Sequence, residues 1–302
     1  MTTAAVPART RTATRRRKLS LPRVVLHVFL IGTAILWLAP LAWAVFTSFR
    51  PYDDTATNGY VSIPETLSLD NYRNAWEQGQ ISLHFVNSMI ITLPAIALIL
   101  FFASSVAFVV SRYSFWFNVP LLIFFMAANL LPQQVIITPL WQLYLRIPLP
   151  GWLSGGSGVM YDSFFGLIAI NVAFQVGFCT FVLSNYMKTI PRSLGEAARV
   201  DGAGAVRQFF GIILPLCKPA LAALATLEFT WIYNDFLWAV VLMGSGDKRP
   251  ITSSLTNLQG SFFTDTNLIS AASVLVALPT IVVFLALQRH FVGGLTLGAN
   301  KG

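Results

Sequence analysis

Six long apolar stretches constrain the fold of this chain more than any other feature of its sequence. A helix rises 1.5 Å per residue and the hydrocarbon core of a bilayer is about 30 Å thick, so about 20 apolar residues span it. Charged residues make up only 11% of the 302 positions, against about 25% in a typical soluble domain. The sequence therefore predicts an all-α membrane protein with six transmembrane helices, over residues 24–46, 85–110, 117–144, 164–186, 219–243 and 268–291.

The distribution of charge predicts the orientation of these helices. Basic residues crowd the segment before the first span, with no acid among them: Arg9, Arg11, Arg15, Arg16, Arg17, Lys18 and Arg23. Basic residues mark the cytoplasmic side of a membrane protein, and six spans return the chain to the side on which it began. We therefore expect both termini in the cytoplasm, with residues 1–23 a basic extension, 24–291 the transmembrane domain and 292–302 a tail.

The net charge of +8 does not indicate a nucleic-acid partner. The basic run has no interleaved aromatic residues and lies beside a membrane span, so we expect it to set orientation and contact anionic lipid of the bilayer. No Gly-x-x-x-x-Gly-Lys-Ser/Thr phosphate loop occurs in the sequence, so the chain is not expected to hydrolyse ATP or to act as an enzyme. Its three histidines form no cluster, and no metal site is expected.

The loop over residues 187–218 carries the most informative pattern. Ser193 and Glu196 have the spacing of a capping box, which predicts a short helix after Pro191 with Glu196 in its first turn. Gly202 is expected to end that helix, and a second short helix should follow from about residue 205. The spacing by itself does not distinguish a functional role of Glu196 from simple helix capping.

Three segments together resemble the permease subunits of binding-protein-dependent ABC importers. The loop matches the EAA motif of that family, Asn87-Ser88 resembles its second-span pair, and residues 231–238 resemble its fifth-span segment. The final residues, 294–302, resemble the tail of the sugar-importing branch. In the loop, the positions that carry the resemblance and border it are Glu196, Ala197, Ala198, Asp201, Gly202, Ile212, Leu214 and Pro215.

The resemblance implies a type I importer fold with a cytoplasmic coupling helix in a prokaryotic inner membrane. It implies four partners: a second permease chain, a pair of ATPase subunits and an external solute-binding protein. ATP and Mg²⁺ would be bound by those ATPases, so this chain needs no cofactor. Glu196 would meet a basic residue of an ATPase, and Lys301 and Gly302 would reach between the ATPase subunits, although a frayed terminus explains that tail equally.

Polar and aromatic residues inside the predicted spans are candidates for the substrate pathway or a gate. Ionisable residues in a membrane span normally face a cavity or a partner, and aromatic rings suit the apolar face of a sugar. Seven-residue spacing would place Glu228 and Asp235 on one helix face, which could equally pack against a second permease. The candidates are Glu228, Trp231, Asn234, Asp235, Trp238, Asn129 and Gln133.

Two other functions stay open at this point. The cargo of the predicted carbohydrate importer could instead be a polyol or a glycerophosphodiester-like solute. A stand-alone, ion-coupled secondary transporter would also be a six-span bundle, but it would have only two intramembrane acids for an ion site and no use for the EAA spacing.

Overall fold

The computed structural model describes the backbone of residues 21–258 and 265–296, and the side chains of all of these except 289–296. Within these residues the chain is helical and forms no β-strand, which confirms the predicted class. The first helices are α1 (Leu21–Ser48), α2 (Tyr52–Asn58), α3 (Asp70–Gln78), α4 (Ile81–Arg112), α5 (Asn118–Leu130), α6 (Ile137–Arg146), α7 (Gly151–Ser154) and α8 (Phe164–Thr189). They are followed by α9 (Arg192–Val200), α10 (Ala205–Gln208), α11 (Leu214–Leu216), α12 (Lys218–Tyr233), α13 (Leu237–Leu242), α14 (Ile251–Ser254) and α15 (Thr266–Thr296).

Four of these helices, α1, α4, α8 and α15, are long and apolar enough to cross a membrane. Two further pairs reach that length only together and are sharply bent. Asn118–Leu130 and Gln133–Arg146 meet at 87°, and Ala205–Leu216 and Lys218–Tyr233 meet at 73°. The described chain thus has four spans, or up to six if each bent pair is one span.

The third predicted span is broken rather than continuous. Leu131 is extended, with ψ 130°, because a proline disfavours the helical region for the residue before it and itself lacks an N–H. A short 3₁₀ turn, Gln133–Ile136, follows Pro132 before α6 begins. The prediction of one helix over residues 117–144 was wrong at this point.

The fifth predicted span is broken as well, between α12 and α13. Asn234 donates a hydrogen bond from Nδ2 to the carbonyl of Thr230 at 2.7 Å, and the Asp235 Oδ1 accepts from the backbone N–H of Trp238 at 3.2 Å. Side chains that bond to nearby backbone in this way compete with the helical ladder. Asp235 therefore lies in a helix break, seven positions after Glu228 but not on the same helix face.

The core forms where α4 packs along α8. Ala95, Ile99, Ala103 and Ala107 recur every four residues on α4, and all four are fully buried. They meet a stripe of α8 that includes Leu183, which is also fully buried. Small residues at such spacing let two helix backbones approach closely, which is how membrane helices gain packing contacts.

The described part of the chain divides into two units, with the boundary between Phe46 and Thr47. None of the residues of α1 in the first unit is buried, and most are exposed; Trp37, for instance, is 76% exposed. An apolar helix with no buried face is typical of a span that meets lipid or a partner chain.

The Asn87-Ser88 pair on α4 anchors the segment between α13 and α14. Asn87 Nδ2 donates to the carbonyls of Asp247 at 2.7 Å and Arg249 at 3.2 Å. Ser88 Oγ accepts from the N–H of Ile251 at 2.9 Å. These bonds satisfy buried polar groups and fix the segment to the helix, so both positions are explained by structure alone.

Candidate functional site

The loop over residues 187–218 folds as a helix, a turn and a second helix. Its first helix begins at Arg192 with Pro191 as the residue before it, and no side chain caps it. The capping box predicted at Ser193 was wrong, because the helix starts two residues earlier than that cap requires, with Pro191 in the cap position and Ser193 already inside the helix. Glu196 is consequently in the second turn and not the first.

A tight reversal at Gly202 ends this helix, as predicted. Gly202 has φ +79°, a conformation that residues with a Cβ rarely adopt. Its N–H bonds the carbonyl of Arg199 at 3.0 Å, and the N–H of Ala203 bonds that of Ala198 at 2.8 Å. This pair of bonds is the Schellman motif, in which a left-handed glycine satisfies the last helical carbonyls.

The faces of α9 differ in exposure. Ala198 is only 7% exposed, whereas Ala197 is exposed, so only one of the two alanines is available to a neighbouring surface. Leu194 and Val200 are 43% and 88% exposed and share the face of Ala197, since residues three apart are neighbours on a helix. Glu196 is exposed and makes no ion pair within the described chain.

The loop continues through a π-helical turn, Phe209–Ile213, into α11. Leu214 and Pro215 lie at the start of α11, and the chain bends after it into α12. Asp201 is the exposed residue that closes α9. Lys301 and Gly302 lie outside the described residues.

A second site is a cavity of about 320 Å³ at the two helix breaks, which we call the aromatic hollow. It is lined by Asn129, Gln133, Asn171, Phe174, Gln175, Trp231, Asp235 and Trp238. Five of the seven sequence candidates for the substrate pathway thus lie together. Trp238 packs against Phe174 with ring centroids 5.7 Å apart, and Trp231 packs against Phe178 at 5.4 Å.

Asp235 is held at this hollow from two directions. Its Oδ1 accepts from Trp238, and its Oδ2 accepts from Asn171 Nδ2 at 3.5 Å. Its backbone carbonyl accepts from Thr252 Oγ1 at 3.0 Å. The carboxylate is therefore positioned rather than free to rotate, and it offers acceptors beside indole and amide groups.

Two of the predicted pathway residues lie elsewhere. Glu228 is fully buried on α12, where its Oε1 accepts from Cys179 Sγ at 3.1 Å and its Oε2 has no hydrogen-bond partner in the described part of the chain. Asn234 bonds Thr280 Oγ1 of α15 at 3.2 Å. Neither side chain lines the aromatic hollow.

Sequence reasoning missed three residues of the hollow, Asn171, Phe174 and Gln175, all on α8. Asn171 and Gln175 are four positions apart in a mostly apolar span. Polar residues in a span face a cavity or a neighbouring helix, so their spacing on one face was the available signal. Across the described residues, no three His, Cys, Asp or Glu side chains are grouped as metal ligands.

A polar clasp joins the segment before α8 to the segment after α13. Asp162 accepts from Ser245 N–H at 2.9 Å and Ser245 Oγ at 2.6 Å, and from Lys248 Nζ at 3.2 Å. Burial alone would raise the pKa of Asp162, but these hydrogen bonds and the Lys248 charge hold it below its usual value. The Asp162 carboxyl group is therefore ionised at neutral pH, and its bonds to Ser245 and Lys248 tie the ends of two spans together.

Comparison with known proteins agrees with this architecture. Residues 99–296 match the model of the family described as binding-protein-dependent transport system inner membrane component. The chain therefore belongs to this family of transport permeases. It is 33% identical over 240 residues to the alpha-glucoside transport system permease protein AglG of Rhizobium meliloti, covering 79% of this chain and 62% of that one.

A second relative and one solved structure extend the likeness. The melibiose/raffinose/stachyose import permease protein MelC of Bacillus subtilis is 30% identical over 240 residues, 79% of this chain and 83% of that one. A chain of a bacterial ABC transporter involved in the import of the acidic polysaccharide alginate superposes with a TM-score of 0.74 at 20% identity, covering 93% of this chain and all of that one. The chain is accordingly a permease component of a binding-protein-dependent ABC importer and shares the fold of an importer permease.

Proposed function

We propose that this protein forms half of the translocation pathway of an ATP-driven carbohydrate importer. The observation that carries the proposal is the aromatic hollow, in which indole rings, amides and one positioned carboxylate meet at two helix breaks. Sugars present hydroxyls for hydrogen bonds and an apolar ring face for stacking, and this lining suits both. The names of the two sugar-transport relatives support the same cargo class.

The loop over residues 187–218 is the proposed link to the ATPases. Its first helix exposes an apolar stripe of Leu194, Ala197 and Val200 beside the unpaired charge of Glu196, which suits a cleft on another protein. The Schellman turn at Gly202 fixes the angle at which that helix leaves the bundle. Docked to a motor subunit, this rigid segment would pass nucleotide-driven movement to the spans and shift a two-state equilibrium.

The proposed partners follow from this arrangement. They are a second permease chain of different sequence, two ATPase subunits that bind ATP and Mg²⁺, and an external solute-binding protein. We place residues 1–23, the 187–218 loop and the tail with Lys301 and Gly302 in the cytoplasm of a prokaryote, from the charge distribution.

Cargo class is tested first by identifying the ligand that co-purifies with the cognate binding protein, using native mass spectrometry. A mono- or oligosaccharide is expected. A polyol or a glycerophosphodiester would replace the carbohydrate assignment while leaving the permease role intact.

The role of the aromatic hollow is tested with Trp231→Ala in the assembled importer. Trp231 lines the hollow and is 43% exposed, so its loss should remove a stacking surface and raise the KM of uptake about tenfold, corresponding to about 1.4 kcal/mol. Trp152→Ala is the matched control, because Trp152 is 82% exposed and lies outside the hollow. Equal KM values in the two variants would contradict the proposed pathway.

The coupling role is tested by Glu196→Ala, with Glu77→Ala on α3 as an exposed control. ATP hydrolysis by the complex should lose its dependence on the loaded binding protein in the first variant and keep it in the second. Uptake that continues without ATPases and follows an ion gradient would instead support a secondary transporter.

A further inference from the structure

A second cavity lies between the end of α4 and the 187–218 loop, and the sequence did not single it out. We call it the arginine hollow. Its volume is about 160 Å³, and its lining consists of Phe108, Arg112, Arg192, Gly195, Glu196, Arg199, Gln208 and Ile213. One water needs only about 15 Å³ of such space, so a tetrahedral oxyanion fits inside.

The hollow has a buried floor and a charged rim. Phe108, Gln208 and Ile213 are 6%, 4% and 2% exposed and form the floor. Arg192 and Arg199 are exposed and lie seven residues, about two turns, apart on the same face of α9. A ligand in the hollow would thus be partly shielded from water, which strengthens its interaction with charged groups.

Positive charge in the hollow is not neutralised by the protein. Three guanidinium groups face a single carboxylate, that of Glu196, and none of the three forms an ion pair with it in the described chain. The charges of Arg112 and Arg192 are close enough to repel each other. Like charges held together in a fold cost free energy unless an anion lies between them.

Arg112 is held in place by main-chain groups that leave its charge uncompensated. Its Nη1 donates to the carbonyl of Ile190 at 3.1 Å and its Nη2 to that of Met187 at 3.0 Å. Its Nε is buried and has no hydrogen-bond partner among the described residues. Burying a donor without a partner costs free energy, so the guanidinium of Arg112, at the wall of the hollow, is not fully satisfied by the described protein.

Arg199 is also oriented before any ligand arrives. Its guanidinium lies over the ring of Tyr113, with Cζ 5.8 Å from the ring centroid, within the range of a cation–π contact. A pre-positioned planar guanidinium is well suited to the paired oxygens of a phosphate.

We propose that the arginine hollow binds a phosphate group, carried either by a soluble compound or by the headgroup of an anionic phospholipid. Arg112 contributes fixed charge from the floor side, and Arg192 and Arg199 donate bidentate hydrogen bonds from α9. The site does not use the apolar stripe of α9, since Leu194, Ala197 and Val200 lie on another face. A bound phosphate would brace α9 against the end of α4.

The test measures binding of radiolabelled inorganic phosphate to the assembled importer in phosphatidylcholine nanodiscs, at constant ionic strength. Phosphate sites on the ATPase subunits are common to all variants and cancel in the comparison. Combined Arg192→Gln and Arg199→Gln should weaken binding at the hollow at least about tenfold, because both substitutions remove charge-assisted hydrogen bonds to the phosphate. Lys188→Gln with Arg207→Gln removes the same charge from exposed positions outside the hollow and should leave binding unchanged.

A second variant and a second ligand make the result decisive. Gly195→Leu fills the hollow without changing charge, since a Cβ there would lie 3.5 Å from Gln208 Oε1, and it should also abolish binding. In nanodiscs containing phosphatidylglycerol, native mass spectrometry counts the lipids retained by each variant. Hollow-dependent retention of phosphate or of phosphatidylglycerol supports the site and identifies the source. The proposal is overturned if Lys188→Gln with Arg207→Gln loses as much binding as the hollow variants, or if neither phosphate nor phosphatidylglycerol binds in a way that depends on the hollow. ATP hydrolysis measured in parallel tests the proposed coupling role separately.

Discussion

Replacement of Gly202 by alanine isolates the contribution of one backbone conformation to the proposed coupling with ATPase subunits. No atom lies within 4 Å of the position that a Cβ would take at Gly202, so the substitution creates no clash. The whole penalty comes from φ +79°, and a left-handed conformation costs a residue with a Cβ about 1–2 kcal/mol. The population of the bent loop relative to alternatives should fall about 5- to 30-fold.

Gly204 provides a matched control two residues away. A Cβ there would also meet no atom within 4 Å, but its φ is −65° and ψ 168°, which alanine adopts without strain. Gly204→Ala should therefore have little effect. Asparagine tolerates the left-handed region better than alanine, so Gly202→Asn should restore much of what Gly202→Ala loses.

The assay is the initial rate of ATP hydrolysis by the assembled importer in proteoliposomes, with and without loaded binding protein. We expect stimulation by the binding protein to fall in the order wild type and Gly204→Ala, then Gly202→Asn, then Gly202→Ala. If Gly202→Asn is as impaired as Gly202→Ala, or if Gly204→Ala is the more damaging change, the conformational reasoning is refuted.

Three further predictions concern stability, read from the thermal unfolding midpoint of the purified complex. Asp162→Asn should lower the free energy of unfolding by about 1.5 kcal/mol at pH 7, because it weakens the charge-assisted hydrogen bonds of the clasp. The pKa of Asp162 is lowered in the folded protein, so the stabilisation by its carboxylate is present above about pH 4 and is lost as the pH falls through the folded pKa. The difference in stability between the variant and the wild type should therefore vanish in acid. Glu228→Met should leave the midpoint unchanged or raise it, with a gain of up to about 1–3 kcal/mol in the free energy of unfolding, since it removes a buried oxygen without a partner. A stable variant that has lost uptake would instead indicate that Glu228 acts in the substrate pathway. Ala103→Leu should lower the free energy of unfolding by about 1–3 kcal/mol through overpacking of α4 on α8, whereas Ala97→Leu, on the exposed face of the same helix, should not. Equal unfolding midpoints in these two variants would contradict the close approach of the two helices.

The sequence carried enough signal to predict the long spans and the shape of the 187–218 loop. Span length follows from bilayer thickness, and Pro191 and Gly202 act on the backbone through covalent geometry, which no tertiary contact alters. Asn129, Gln133 and Asp235 of the aromatic hollow were recognisable because amides and carboxylates are costly in a span unless a cavity receives them.

Other features depended on local competition that the sequence does not resolve. The side chains of Asn234 and Asp235 compete with the helical hydrogen bonds of the backbone, and a difference of about 1 kcal/mol decides the outcome. Here the helix is interrupted, so Asp235 does not share a helix face with Glu228. The prediction at Ser193 failed for a related local reason: the helix begins at Arg192, directly after Pro191, so Ser193 lies inside the helix and not at its cap. The arginine hollow was not foreseen because Arg112 and Arg199 are 87 positions apart in the chain and only the packing of α4 brings them together.

The two interrupted spans have a consequence for how such a permease can change its cargo. Asn129 and Gln133 lie at one interruption and Asp235 lies in the other, so three of the polar groups that line the aromatic hollow lie where the helical hydrogen bonding is already interrupted. A substitution at one of these three positions leaves untouched the buried residues of α4 that pack on α8, such as Ala95, Ala103 and Ala107. Under the proposed function, substitutions at these three positions would change the selectivity for the solute without weakening the packing of α4 against α8.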